Sequence, residues 1–194
     1  MNHFYESIEG YFTYPDWYSH IARLAKAEGW ERIVIVGVHN GTCAAYLAVE
    51  LENQGAATKI DLVDIFSGGS QRVLDNLKPV LHRIDRVLAC NSWDAARFYD
   101  DGSVDCVFID ADHQYDSVKK DIEAWRPKVR KDGFLSGHDY VEYSHPNGFN
   151  FGVIQAVKEA GLDVLPSFLV WQGIKDGGDA NMQGKHWPVW SVRL

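Results

Sequence analysis

The sequence predicts an α/β protein: a doubly wound, three-layer sandwich on a mostly parallel sheet whose last strand is antiparallel. Three observations predict it. Strand-like and helix-like segments alternate through short connections. The strand segments include continuous apolar runs such as "RIVIVGV", the mark of strands buried on both faces of a parallel sheet. The last two strand segments are joined by "GIKDGGDANMQGK", which is rich in turn residues and has no helical pattern, so they form an antiparallel pair at a sheet edge.

The elements follow in order. "YPDWYSHIARLAKAEGW" opens with Pro15 near a helix start and stops at Gly29, with Trp17, Ile21, Leu24 and Ala25 on one face. "RIVIVGV" is the first strand, "GTCAAYLAVELENQG" a helix ending near Gly55, and "KIDLVDI" the second strand. "SQRVLDNLKPV" reads as a short helix, "IDRVLAC" as the third strand, "SWDAARFYDD" as another short helix and "VDCVFID" as the fourth strand. "SVKKDIEAWRPKV" is a helix, "GFLSGHD" the fifth strand and "NFGVIQAVKEAG" a helix. "LDVLPSFLVWQ" and the alternating tail "HWPVWSVRL" supply two further strands, which makes seven.

The 194 residues fit one domain, 1–194, with residues 1–30 as an N-terminal helical cap. A net charge of −8 argues against nucleic acid or an anionic membrane as a partner. Cys43, Cys90 and Cys106 lie in apolar contexts without CxxC spacing and read as small packing residues in a reducing compartment. Residues 1–14 hold no Lys or Arg and no apolar run, so no secretory signal is expected. The longest apolar run is too short for a bilayer. The expectation is a soluble cytoplasmic protein; whether it forms a homo-oligomer is open.

In doubly wound sheets, ligands bind outside the carboxyl ends of the strands. After the first strand stands "GVHNG", with Gly37, His39, Asn40 and Gly41: glycines that admit close backbone approach, before a helix N-terminus with free N–H groups. The pattern is G-x-x-x-G, not the dinucleotide fingerprint. Asp64 ends the second strand, where an acid commonly takes ribose hydroxyls. Asn91, Ser92 and Trp93 follow the third strand; Ser92 suits a helix N-cap, and Trp93 suits either packing or covering a flat base. Asp110, Asp112 and His113 follow the fourth strand, and His138 and Asp139 the fifth. Carboxylates and imidazoles converging on one rim suit a divalent metal. Tyr115 and Lys119 match a short-chain dehydrogenase pair in spacing but follow the wrong strand, so they read as helix residues.

The segments "FIDADHQYDSVKKDIEAW" and "GFLSGHDY" resemble the class I S-adenosylmethionine-dependent methyltransferases. The group is that of the macrocin O-methyltransferase and cephalosporin-hydroxylase-like proteins, more distantly related to catechol and caffeoyl-CoA O-methyltransferases. The resemblance spans roughly residues 32–160. It implies a Rossmann-like fold of seven strands with the last antiparallel. It implies that Gly37 and Gly41 form the loop under the methionine part of S-adenosylmethionine, that Asp64 holds the ribose and that Ser92 and Trp93 lie on the adenine side, with His39, Asn40 and Asp110 also among the cofactor-binding residues. It also implies a metal at Asp110, His138 and Asp139, and His113 where relatives carry a catalytic Lys. Two features differ from that group: Ile35 stands where an acid is usual, and His138 replaces an acid, which widens the metal from magnesium to manganese, iron or zinc.

The expected function is methyl transfer from S-adenosylmethionine to an oxygen of a small-molecule acceptor, with His113 as the base and a metal lowering the hydroxyl pKa. Phe4, Tyr5, Tyr11, Phe12, Trp17, Tyr140 and Tyr143 are candidates for the acceptor wall. A non-catalytic S-adenosylmethionine- or nucleotide-binding module, and a metal-dependent hydrolase or oxygenase, are the alternatives.

Overall fold

Four apolar segments pair side by side around the most hydrophobic one. In the computed structural model, which describes residues 3–9, 14–144, 148, 150–165 and 188–194, β1 (Arg32–Val36) lies between β2 (Lys59–Asp64) and β4 (Val104–Ile109), parallel to both. β3 (Ile84–Ala89) extends the sheet beside β2, and β5 (Val129–Gly137) beside β4. β6 (Trp190–Arg193) returns antiparallel to β5, with Leu135 opposite Val192 and Gly137 opposite Trp190. The order is β3-β2-β1-β4-β5-β6.

The period-2 alternation of β1 divides the core. Ile33 and Ile35 face one layer, Val34 and Val36 the other, and all four are at most 1% exposed. Burying side chains of this size contributes about 1.5–3 kcal/mol each. The first layer holds α1 (Pro15–Glu28) and α2 (Thr42–Asn53) against Phe108, Ile60 and Leu62. The second holds α4 (Ser92–Ala95), α5 (Tyr115–Trp125) and α6 (Val153–Glu159) against Val107, Ile109 and Leu135. A short α3 (Gln71–Asn76) lies between β2 and β3 in the chain.

Helix α1 follows its sequence signals. Pro15 occupies the first turn, where a missing N–H costs nothing, and Gly29 closes the helix at φ 66°, its N–H donating to Ala25 O. Trp17, Tyr18, Ile21, Ala22 and Ala25 are buried. Cys43, Cys90 and Cys106 are all free thiols, the last fully buried and the others partly so.

The strand count differs from expectation: the described residues form six strands, not seven. Leu162 to Leu165 of the expected sixth strand are not a strand, and residues 166–172 lie outside the described residues, as does the turn-rich connection to the tail. The antiparallel last strand is as expected. On its free edge, the Leu165 N–H donates to Ser191 O at 2.9 Å, so one ladder-like contact forms there without a strand. Among the described residues no helix is long and apolar enough to cross a membrane.

Candidate functional site

The sheet order reverses between β1 and β4, and their carboxyl ends part there to open a cleft of about 690 Å³. Gly37, His39, Asn40, Asp64, Ser92, Trp93 and Asp110 line it together. Gly37 is required by contact as well as by its φ of 86°: a Cβ there would lie 1.9 Å from the Asp110 carbonyl oxygen. Gly41, at φ 91°, caps α2 behind the cleft wall, where a Cβ would press on Val73 at 3.3 Å.

Asp64 organises this turn. Its Oδ2 accepts from the Val38 and His39 N–H groups at 2.7 and 3.1 Å, and its Oδ1 accepts from the Phe66 N–H at 2.7 Å. Three backbone donors on one carboxylate fix the loops after β1 and β2 to each other. His39, exposed and at φ 51°, is held in a left-handed conformation by this clasp. The Asn40 side-chain amide donates to Glu9 O, joining the turn to the N-terminal segment.

On the opposite side of the cleft, Asn91 takes the N-cap position, and Ser92 is the first residue of α4 rather than its cap. Ser92 Oγ accepts the Trp125 indole N–H at 2.8 Å, so its hydroxyl is part of the buried packing of α5. Trp93 is partly buried, with the Lys120 ammonium 5.2 Å from its ring centroid, a cation–π contact.

The carboxyl ends of β4 and β5 bring the acids and imidazoles together. His113 Nε2 pairs with Asp139 Oδ2 at 2.5 Å and lies 3.4 Å from Asp110 Oδ1. His138 Nδ1 lies 3.0 Å from Asp139 Oδ1 and 3.6 Å from Asp110 Oδ1. Burial alone would push both imidazoles down, but the two carboxylates outweigh it and raise His113 to about 10 and His138 to about 9. For Asp110 and Asp139 burial opposes ionisation, and the facing imidazoles overcome it and hold both carboxyls below their ordinary range. Two imidazolium and two carboxylate groups therefore balance one another. This is the reason a buried strand can end in acid.

A metal site asks for more. The ligand atoms of Asp110, His113 and Asp139 lie within 4.8 Å of one another. The expected set had His138 in place of His113. His138 contacts both acids, but the three-residue group that converges contains His113.

Two residues of this region were not singled out from sequence. Tyr14 donates its hydroxyl to Asp110 Oδ2 and lays its ring 4.0 Å from that of His138. No local pattern marks it, because the partners are distant in sequence. Asp121, inside the amphipathic pattern of α5, is 1% exposed yet lines the cleft; an acid on the buried face of a helix was the available signal. Of the proposed wall aromatics, Trp17 is a core residue against Phe108, while Tyr5 packs on Tyr46 of α2. Tyr143 meets Phe151, which stacks on His113 at 4.8 Å. Tyr11 and Phe12 lie outside the described residues.

Solved structures share this fold at low identity. An S-adenosylmethionine-dependent O-methyltransferase from Thermotoga maritima superposes with a TM-score of 0.64 at 16% identity, over 99% of this chain and 71% of that one. The O-methyltransferase from Bacillus cereus, in complex with S-adenosylhomocysteine, gives 0.65 at 16% identity, over 97% and 86%. An O-methyltransferase of tomaymycin synthesis from Streptomyces achromogenes, in complex with S-adenosylmethionine, gives 0.59 at 14% identity, over 91% and 79%. No curated protein matches the sequence. A family model described as a methyltransferase domain matches residues 34–140, which run from β1 through β5 and include the glycine turn, Asp64, Asp110 and the His–Asp cluster. The match covers more than half of the chain, and the chain belongs to this methyltransferase-domain family.

Proposed function

We propose that this protein transfers the methyl group of S-adenosylmethionine to an oxygen of a small-molecule acceptor. The observation that carries the reading is one cleft at the switch point of the sheet, bordered by a glycine turn, Asp64 and Asp110, with His113 against Asp110. The family supplies methyl transfer. The neighbours named as O-methyltransferases, one with S-adenosylhomocysteine and one with S-adenosylmethionine, support the cofactor and the oxygen acceptor.

The donor set fits such a cofactor. Asp110 would hold the methionine ammonium beside Gly37, whose missing side chain leaves the backbone open. Asp64 keeps one lone-pair site for a ribose hydroxyl after its three backbone bonds. Trp93 would cover the adenine. When bound, the cofactor supplies an electrophilic methyl on a sulfonium sulfur; the acceptor oxygen bonds to that carbon as the sulfur–carbon pair returns to sulfur.

The acceptor proton goes to His113. In the free protein this imidazole already holds a proton between Asp110 and Asp139. An ammonium at Asp110 would weaken one of those two attractions and bring His113 back toward the range in which it can accept. His113 thus becomes a base only when Asp110 is engaged. Phe151 and Tyr143 would wall the acceptor side.

A second reading is favoured by the convergence of Asp110, His113 and Asp139: a divalent ion held there would orient and acidify the acceptor hydroxyl. His113 must then release its proton first, so affinity would rise with pH. His138 in place of His113 is the alternative ligand.

The test is calorimetric binding of S-adenosylhomocysteine, followed by turnover of S-adenosylmethionine with a panel of catechols, phenols and carboxylic acids, with and without chelator. Binding and turnover are expected. Binding without turnover across the panel favours a non-catalytic module, absence of binding overturns the reading, and chelator-sensitive turnover selects the metal.

A further inference from the structure

Asp121 is a buried acid at the cleft that the proposed chemistry does not use. It sits on α5 at the cleft wall, beside Ser92, Ser117 and Asp112, and is 1% exposed. A carboxylate offers about four acceptor sites, and each of its oxygens normally has at least one partner when buried. Asp121 departs from this: its Oδ1 has no hydrogen-bond partner among the described residues, and Ser92 is the neighbour whose hydroxyl stabilises its charge. The other nearby polar groups are committed elsewhere. Ser117 Oγ donates to Asp112 at 2.7 Å, the Gln114 N–H donates to the same carboxylate at 3.1 Å, and the Trp125 indole donates to Ser92. The protein has built an acceptor into the wall and left it short of donors.

Asp121 lines the cleft, so a ligand bound there can supply the donor. Asp121 adjoins Ser92 and Trp93, the end assigned to the adenine, and adenine carries one strong donor group, its exocyclic amine. We infer that Asp121 reads the adenine of the cofactor by accepting a hydrogen bond from its 6-amino group. The inference rests on the S-adenosylmethionine reading above. It makes the site selective, because a 6-oxo purine would turn a carbonyl oxygen toward a carboxylate. Burial, with the charge of Asp112 on the turn after β4 adding to it and Ser92 on α4 opposing it, pushes the Asp121 carboxyl up to about 6. It is thus mostly ionised, and able to accept, at neutral pH.

The experiment is calorimetry of the full chain with S-adenosylhomocysteine, its analogue with hydrogen in place of the 6-amino group, and its 6-oxo analogue. The wild type should prefer S-adenosylhomocysteine over the 6-hydrogen analogue by about tenfold or more, the range for a hydrogen bond to a charged group. Asp121→Ala should bind those two alike. Asp121→Asn, which keeps the shape and adds a donor, should gain affinity for the 6-oxo analogue, so the inference stays testable if the Ala variant does not fold. Equal wild-type affinity for S-adenosylhomocysteine and the 6-hydrogen analogue overturns the inference, as does Ala discriminating like the wild type. In both cases S-adenosylhomocysteine still binds, and the cofactor assignment stands. Absence of any binding overturns the cofactor assignment and this inference with it.

Discussion

Tyr14 and Asp110 are 96 residues apart in the chain, and the phenol of the first donates to the carboxylate of the second. The contact ties the residue that precedes α1 to the end of β4. Burial and the negative charge of Asp110 both push the Tyr14 hydroxyl well above its ordinary range, so it stays a donor at any working pH. The site and the cap are therefore joined at the residue proposed to hold the cofactor's ammonium.

Tyr14→Phe keeps the ring against His138 and removes this donor. The expected loss is about 1.5–3 kcal/mol of stability, the range for a hydrogen bond to a charged group. Urea unfolding at pH 7 measures it; an unchanged midpoint would mean that the bond contributes nothing net.

Asp64→Ala frees three backbone N–H groups and lets the loops after β1 and β2 separate. S-adenosylhomocysteine affinity should fall by about tenfold or more. Asp64→Asn, with one acceptor oxygen in place of two, should lie between. Wild-type affinity in the Ala variant would remove Asp64 from the site.

His113→Ala should lower turnover by about 10²–10⁴, the usual contribution of a general base. Cofactor affinity should not fall and should rise modestly, because the imidazolium that competes with the cofactor's ammonium for Asp110 is gone. Comparing kcat with the dissociation constant of S-adenosylhomocysteine separates the two effects. Retained turnover would transfer the role of base to another group.

The ligand-free, chelator-treated protein should lose stability at alkaline pH. His113 and His138 have folded pKa values near 10 and 9, above the unfolded value of about 6.5. Their contribution is full below pH 6.5 and is lost as pH rises through 9 to 10. Asp110, held below its ordinary range, acts oppositely: its contribution is lost only on strong acidification. The melting temperature should therefore fall progressively from about pH 6.5 to about pH 10, by about 2–4 °C for each kcal/mol lost. A flat profile would mean that the imidazoles are not held as cations.

The sequence by itself determined the order of the elements, the parallel sheet and the rim on which the site lies. These are local matters: the apolar runs of β1 and β4, Pro15 and Gly29 at the ends of α1, and a glycine turn after β1. It also collected His113, His138, Asp110 and Asp139, because strand ends are visible as places where hydrophobicity stops. The tertiary structure decided which of these groups hold one another. His113 looked like a free base, but the carboxylates of Asp110 and of Asp139, which follows β5 and pairs with it at 2.5 Å, raise its pKa and keep it protonated. Asp64 looked like a ligand acid, but most of its lone pairs go to backbone N–H groups of two loops. Tyr14 was silent because its partner Asp110 is brought to it only by packing, and the acid on the buried face of α5, Asp121, gains its place at the cleft in the same way. Charge pairing and burial depend on distances between segments far apart in the chain, and those distances exist only once the layers have closed on the sheet.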